Sequence, residues 1–256
     1  MIKETKLELF EEGTNPSTVK FDVNKRFEFL EQLSEMVVND QTPSLIVTGE
    51  GGLGKTFTVN QAVNKIIGNE EDVRREVEII KGYSTARGLF NNLYGHNNKL
   101  IIFDDCDSVL DNKVSVDLLK GALDSYEKRI LTWSAQMKPN SEYPQKFEFT
   151  GRIIFISNKN RDKIDQSILS RCMVIDVSMT PIEKIERMQK VLEFVCPEVS
   201  LEEKQESLNL IDKYKDDIKD LNFRTLIKVS KIKKSFPDSW KELATYSMFE
   251  GNKIQD

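Results

Sequence analysis

The sequence predicts an α/β fold, a five-stranded parallel sheet with helices on both faces, followed by an all-helical segment. Three observations predict it. Residues 49–56, GEGGLGKT, form a glycine-rich loop between a short apolar run, Ser44-Leu-Ile-Val-Thr48, and a helical stretch from Phe57 to Ile67. Strand-like apolar runs then alternate with helical patterns as far as about residue 180. Beyond Thr180-Pro181 the strand signals stop. The expected organisation is an N-terminal extension over 1–22, an α/β core over 23–180 and a helical domain over 181–256.

The loop matches the P-loop pattern G-x-x-x-x-G-K-[ST] at Gly49, Gly54, Lys55 and Thr56, and it has the strand–loop–helix context that pattern requires. Gly49, Glu50, Gly51, Gly52, Leu53 and Gly54 supply the turn, because glycines let backbone amides point inward around phosphates. The following helix, opened by Phe57, adds the partial positive charge of its N-terminus. Lys55 is expected at the β- and γ-phosphates and the Thr56 hydroxyl at a Mg²⁺ ion. The motif therefore implies that the chain binds a nucleoside triphosphate.

In chain order, residues 23–38 read as an amphipathic helix carrying Phe27, Leu30, Leu33, Met36 and Val37, ended by Gln41-Thr-Pro43. After the P-loop helix, residues 68–72 read as a turn and 77–81 as a second strand. Ser84 is a candidate cap for a helix over 85–94. Residues 100–105, LIIFDD, are an apolar strand ending in two carboxylates. There Asp104 is the expected Mg²⁺-side acid and Asp105 the water-orienting or general-base carboxylate. A helix over 114–126 follows, then period-two alternation in 129–134 and 146–150, which predicts an antiparallel hairpin carrying Trp133, Phe147 and Phe149. Residues 152–157 form another buried strand with Asn158 directly after it. A short helix over 165–170 leads through Arg171-Cys172 to a fifth strand at 173–177. Helices are expected over 182–196, 200–215, 222–236 and 238–249, with Ser200 and Asp238 as caps.

Composition narrows the function. A net charge of −5 excludes a broadly basic surface, so any nucleic-acid contact must be local or concentrated by assembly. No apolar run approaches the roughly 20 residues that span a bilayer, and MIKETKLELFEEG is too charged for a secretory signal. Cys106, Cys172 and Cys196 lack ligand spacing and are expected as reduced, partly buried thiols. The single histidine, His96, lies in a polar turn and is expected in solvent. A cytoplasm-like compartment follows.

The order of P-loop, Asp-ended strand, Asn-ended strand, arginine before the last strand, and helical tail resembles the AAA+ ATPases from about residue 23 onward. The resemblance implies ATP and Mg²⁺ as ligands. It implies that Asn158 is sensor 1, holding the attacking water with the acidic strand end. The stretch ILSRC (168–172) looks like the Ser-Arg-Cys motif of clamp-loader ATPases, which would make Arg171 an arginine finger acting on a neighbouring subunit's nucleotide. Arg224, in NFRTLIKV, is similar to sensor 2; Arg161 is a second finger candidate and Arg152 a structural arginine. Two departures stand out: Asp104-Asp105 replaces the usual Asp-Glu, which implies slower hydrolysis or help from Asp107, and Asn222-Phe223 precedes Arg224 where small residues are usual.

The sequence also looks like small AAA+ ATPases of tailed bacteriophages, which places it in a host cytoplasm. The implied function is an oligomeric ATPase that remodels or loads a nucleic-acid-associated complex in phage-type DNA replication, recombination or repair. Alternatives are a protein unfoldase or assembly chaperone, and an ATP-gated interaction module. Tyr83 and the 129–150 hairpin, with Trp133, Lys138 and Lys146, are the candidate contacts for single- or double-stranded DNA, and Tyr83 also for a polypeptide. The lysines of 228–234 are expected as a solvated face.

Overall fold

The computed structural model describes residues 20–124, 128–134 and 143–249. Most of the expected N-terminal extension and Lys138 therefore lie outside the described residues. The chain opens with α1 (Val23–Val38), capped by the Asp22 carboxylate, and β1 (Ser44–Thr48). Then come α2 (Lys55–Ile67), α3 (Glu70–Glu76), β2 (Val77–Lys81), α4 (Ala86–Gly95) and β3 (Leu100–Asp104). After α5 (Ser108–Asp111) and α6 (Lys113–Ala122), β4 (Ile130–Thr132) pairs antiparallel with β5 (Lys146–Glu148). β6 (Arg152–Ile156), α7 (Gln166–Leu169) and β7 (Met173–Asp176) complete the α/β part. Four helices follow: α8 (Pro181–Val191), α9 (Leu201–Lys213), α10 (Phe223–Ser235) and α11 (Trp240–Phe249).

The sheet is five-stranded, all parallel, in the order β2-β3-β6-β1-β7. Alternate residues of each central strand enter different cores, as a sheet covered on both faces requires. Ile101, Phe103, Ile153 and Phe155 pack with Leu89, Phe90 and Leu93 of α4 and Leu119 of α6, and Phe103 stacks on Phe155 with centroids 5.3 Å apart. Leu100, Ile102, Ile154 and Ile156 pack with Phe27 and Leu30 of α1 and Val59 and Val63 of α2. The four C-terminal helices close around a third cluster that includes Met188, Leu208, Ile211, Leu226 and Trp240. Entry into that region is fixed by a capping box: Thr180 accepts from the Glu183 amide, Glu183 accepts from the Thr180 amide, and Pro181 opens α8. Thr180→Ala should cost about 1 kcal/mol of stability, read as a lower urea midpoint at unchanged slope.

The structure corrects several expectations. Residues 68–72 do not form a simple turn; α3 begins at Glu70, capped by Asn69. Glu70, Glu71 and Asp72 lie in the first turn and Arg74 and Arg75 in the last, complementing the helix dipole, with Glu70–Arg74 and Glu71–Arg75 ion pairs one turn apart. No residue of α3 is buried, so no apolar period announced it. Thr85 rather than Ser84 caps α4, accepting from Gly88 N at 3.0 Å, while Ser84 is tied to Ser108. His96 is half-buried, with Nδ1 3.4 Å from a Glu78 carboxylate oxygen, rather than free in solvent. Ser239 rather than Asp238 directly precedes α11. The three cysteines are free, and burial pushes the Cys172 thiol up to about 11.

Candidate functional site

Strand order places the site. The 49–54 loop leaves the carboxyl end of β1, Asp104 and Asp105 end β3, and β6 runs between these two strands with Asn158 just beyond it. Ile156 is the register partner of both Val47 and Asp104, so all three chain segments emerge side by side. Ligands in open parallel sheets bind at such carboxyl ends.

Within the loop, Gly52 and Gly54 take φ of +74° and +90°. At Gly52 a Cβ would also stand 3.0 Å from the Asn222 side chain, so the glycine serves both the loop's turn and the close approach of the helical region. Phe223 N donates to Gly52 O at 3.0 Å, tying the start of α10 to the loop. Lys184 of α8, itself nearly buried, pairs with the Glu50 carboxylate. These two contacts from the helical region were not legible in the sequence.

Lys55 is 4% exposed and donates to Gly49 O at 2.5 Å, Glu50 O at 2.7 Å and Asn158 Oδ1 at 2.9 Å. Burial lowers its pKa to about 8, against the pull of Asp105, Asp107, Asp104 and Glu50, which favour the charged form. Thr56 Oγ1 donates to Asp104 Oδ1 at 2.8 Å, and Asn158 Nδ2 donates to Asp105 Oδ1 at 2.7 Å. Ser157 Oγ donates to Asp107 Oδ1 at 2.5 Å. Asp105 takes φ of +54°, a left-handed conformation in which aspartate is several-fold enriched among non-glycine residues, and its amide donates to Ile156 O at 3.0 Å. The second acid of the pair is thus a short one at a strained backbone position.

Gly52 to Phe57, Asp105, Asn158, Phe223 and Arg224 line one cavity of about 250 Å³. Arg224 also borders an adjoining cavity of about 800 Å³ against Glu50, Gly51, Lys184 and Lys228. The sequence-predicted Lys55, Thr56, Asp105, Asn158 and Arg224 are therefore brought to one place, with Asp104 in contact through Thr56. Arg171 is not brought there. It precedes β7, so it sits at the amino end of the sheet, where Ser44 Oγ reaches its carbonyl. Its Nη1 donates to Ser167 O at 2.8 Å, and its Nε is buried without a hydrogen-bond partner among the described residues. Arg152 donates to the Val37 and Val38 carbonyls at the end of α1, a structural use, and Arg161 is exposed.

The donor set suits Mg²⁺. Asp104 and Thr56 offer hard oxygen ligands in contact with each other, and among the described residues no group of three or more His, Cys, Asp or Glu could hold a metal by itself. Mg²⁺ usually takes only one or two protein ligands and completes its shell with water and substrate phosphates.

The two candidate partner surfaces differ. Tyr83, behind Gly82, is 81% exposed. Trp133 is half-buried, packed on Phe90 with the Arg87 guanidinium over its ring, and Phe147 packs on Phe90 and Tyr94. The base of the hairpin thus packs on the core, and Trp133 is partly engaged there. Of the α10 lysines, Lys228, Lys231 and Lys234 are exposed, Lys231 with an ion pair to Glu198, whereas Lys233 is buried and pairs with Glu206. Among the described residues no helix is long and apolar enough to cross a membrane.

Comparison with known proteins agrees with this architecture. The chain is 27% identical over 249 residues to an uncharacterised 36.7 kDa protein of the nrdC-mobD intergenic region of Enterobacteria phage T4, covering 89% of this chain and 74% of that protein. The crystal structure of NtrX from Brucella abortus in complex with ATP matches at a TM-score of 0.55 and 12% identity, a likeness of fold alone. That match covers 88% of this chain, which spans about half (54%) of the NtrX chain. The model of the ATPase family associated with various cellular activities (AAA) matches residues 45–178, more than half of the chain, from the first apolar residues of β1 to just past β7. The chain belongs to the AAA ATPase family.

Proposed function

We propose that the chain binds ATP with Mg²⁺ at the 49–57 loop and hydrolyses it. The observation that carries this reading is the convergence of Lys55, Thr56, Asp105, Asn158 and Arg224 on one cavity, with Asp104 hydrogen-bonded to Thr56. The loop amides and the N-terminus of α2 receive the phosphates. Lys55 exchanges its contacts with the Gly49 and Glu50 carbonyls for the β- and γ-phosphate oxygens. Thr56 and Asp104 hold Mg²⁺, which neutralises phosphate charge when bound. Asp105 orients or deprotonates the attacking water while Asn158 fixes its carboxylate. Arg224, carried on α10, stabilises charge on the terminal phosphate, and Arg171 does so from a neighbouring subunit in an oligomer.

Asp105→Asn tests the chemistry. It should bind ATP as the parent does yet lose turnover by about 10²- to 10⁴-fold, because an amide cannot accept the proton. Phosphate release at the parent's rate would move the base elsewhere, with Asp107 the next candidate.

We extend the reading to an oligomer that remodels or loads a nucleic-acid-associated complex in phage-type DNA replication, recombination or repair. Its supports are the relation to a phage T4 protein and the position of Arg171 away from its own P-loop. One observation favours a second reading, an ATP-gated module that turns over slowly: the short Asp105 at a left-handed position. Turnover accelerated by single-stranded DNA would support the first, whereas tight ATP binding with no turnover under any addition would support the second. Acceleration by an unfolded polypeptide instead would point to an unfoldase acting through Tyr83.

A further inference from the structure

Three carboxylates stand near Lys55, and they are held differently. Asp105 and Asp107 accept from neutral groups, Asn158 and Ser157. Asp104 accepts from Thr56 on one oxygen and is ion-paired through the other: Lys81 Nζ lies 3.0 Å from Asp104 Oδ2. Lys81 ends β2, one of the two edge strands of the sheet, and is the register partner of Asp104 on β3. The pair is asymmetric, since the Lys81 side chain is 64% exposed and that of Asp104 only 6%. The ammonium can therefore swing into water, where it is strongly hydrated, while the carboxylate stays in place. Lys159, next to Asn158 in the chain, pairs with Asp111 instead.

We propose that Lys81 is a positioning residue for the metal site: a tethered cation that holds Asp104 before the divalent ion arrives and competes with that ion for it. The proposal rests on the reading above that Asp104 is a metal-site carboxylate. A divalent ion approaching Asp104 meets a like charge already on its second oxygen, and loading requires that charge to withdraw. Lys81 thereby raises the free Mg²⁺ concentration at which the site fills. It also gives a nearly buried carboxylate a direct ion-pair partner while the site is empty, beside the more distant Lys55 ammonium.

The test uses Mn²⁺ as the probe, because it takes the same octahedral oxygen ligation as Mg²⁺ and its free concentration can be followed by electron paramagnetic resonance. The full chain is titrated without nucleotide and again with ATP, as parent, Lys81→Met, Lys81→Arg and the double variant Lys81→Met/Asp104→Asn. Lys81→Met should lower the half-saturating Mn²⁺ concentration by about threefold to tenfold, the scale expected for one partly screened charge. Lys81→Arg should stay within about twofold of the parent, since it restores the cation, and the double variant should show no gain. A Lys81→Met titration that overlays the parent's, or a gain that persists after Asp104→Asn, overturns the proposal. A parent that binds no ATP would sink the proposed function instead, and the nucleotide-free titrations would still decide the role of Lys81.

Discussion

Arg171→Ala should bind ATP nearly as the parent does and lose hydrolysis by at least ~10³-fold, the lower range for arginine fingers. Two positions carry the argument. Arg171 stands at the amino end of the sheet, whereas Lys55, Asp105 and Asn158 gather at the carboxyl end, so it does not serve its own subunit's nucleotide. It is also incompletely used where it is: Nη1 meets the Ser167 carbonyl, and Nε is buried without a hydrogen-bond partner among the described residues. A guanidinium placed over a neighbour's terminal phosphate would stabilise charge that develops only in the transition state, so turnover falls while binding persists. Mixing Arg171→Ala with Lys55→Ala subunits should restore part of the activity, because some interfaces then join an intact P-loop to an intact finger. The parent's specific activity should rise with protein concentration over the same range in which sedimentation shows assembly. Full-rate hydrolysis by a dilute monomer, with Arg171→Ala no slower, would rule out a finger in trans and leave the Ser167 contact as the residue's role.

Lys55→Ala should weaken ATP binding by at least about 100-fold, in line with losing charge-assisted hydrogen bonds worth about 1.5–3 kcal/mol each. The amine is nearly buried, and its desolvation is already costly, as the pKa of about 8 indicates. Its contacts in the absence of nucleotide are two loop carbonyls and Asn158 Oδ1, acceptors that phosphate oxygens would replace with charged ones. Because those carbonyls lose their donor in the variant, a thermal melt should accompany the titration with a fluorescent ATP analogue. An unchanged melt with lost binding supports the reading. Unchanged binding would mean that the loop is not the nucleotide site.

The parts of this molecule legible in the sequence are those encoded in adjacent residues. Apolar runs such as LIIFD and RIIFI gave the three central strands in their observed places, because a buried parallel strand needs consecutive apolar side chains for its two covered faces, whereas the edge strands β2 and β7 are only partly buried. The 49–56 loop was legible because its pattern fixes residue types at fixed short spacings between a strand and a helix. α3 was not, since a helix held by a cap, a dipole and two exposed ion pairs leaves no apolar period. Trp133 was read by its residue type alone, and its packing on Phe90 depends on where α4 lies.

What the sequence determined by itself, then, is the family's α/β core with its helical continuation, and the identity of the groups that converge at the carboxyl end of the sheet. Tertiary structure alone decided which of those groups touch. Lys81 meets Asp104 because β2 and β3 pair in one particular parallel register, and a slip of one residue would turn the lysine to the other face. Lys184 meets Glu50, and Asn222 meets Gly52, because four helices fold back onto the loop around their own apolar cluster. A short motif is written in local backbone requirements, whereas a contact across the fold depends on register and docking, which no neighbouring residue encodes.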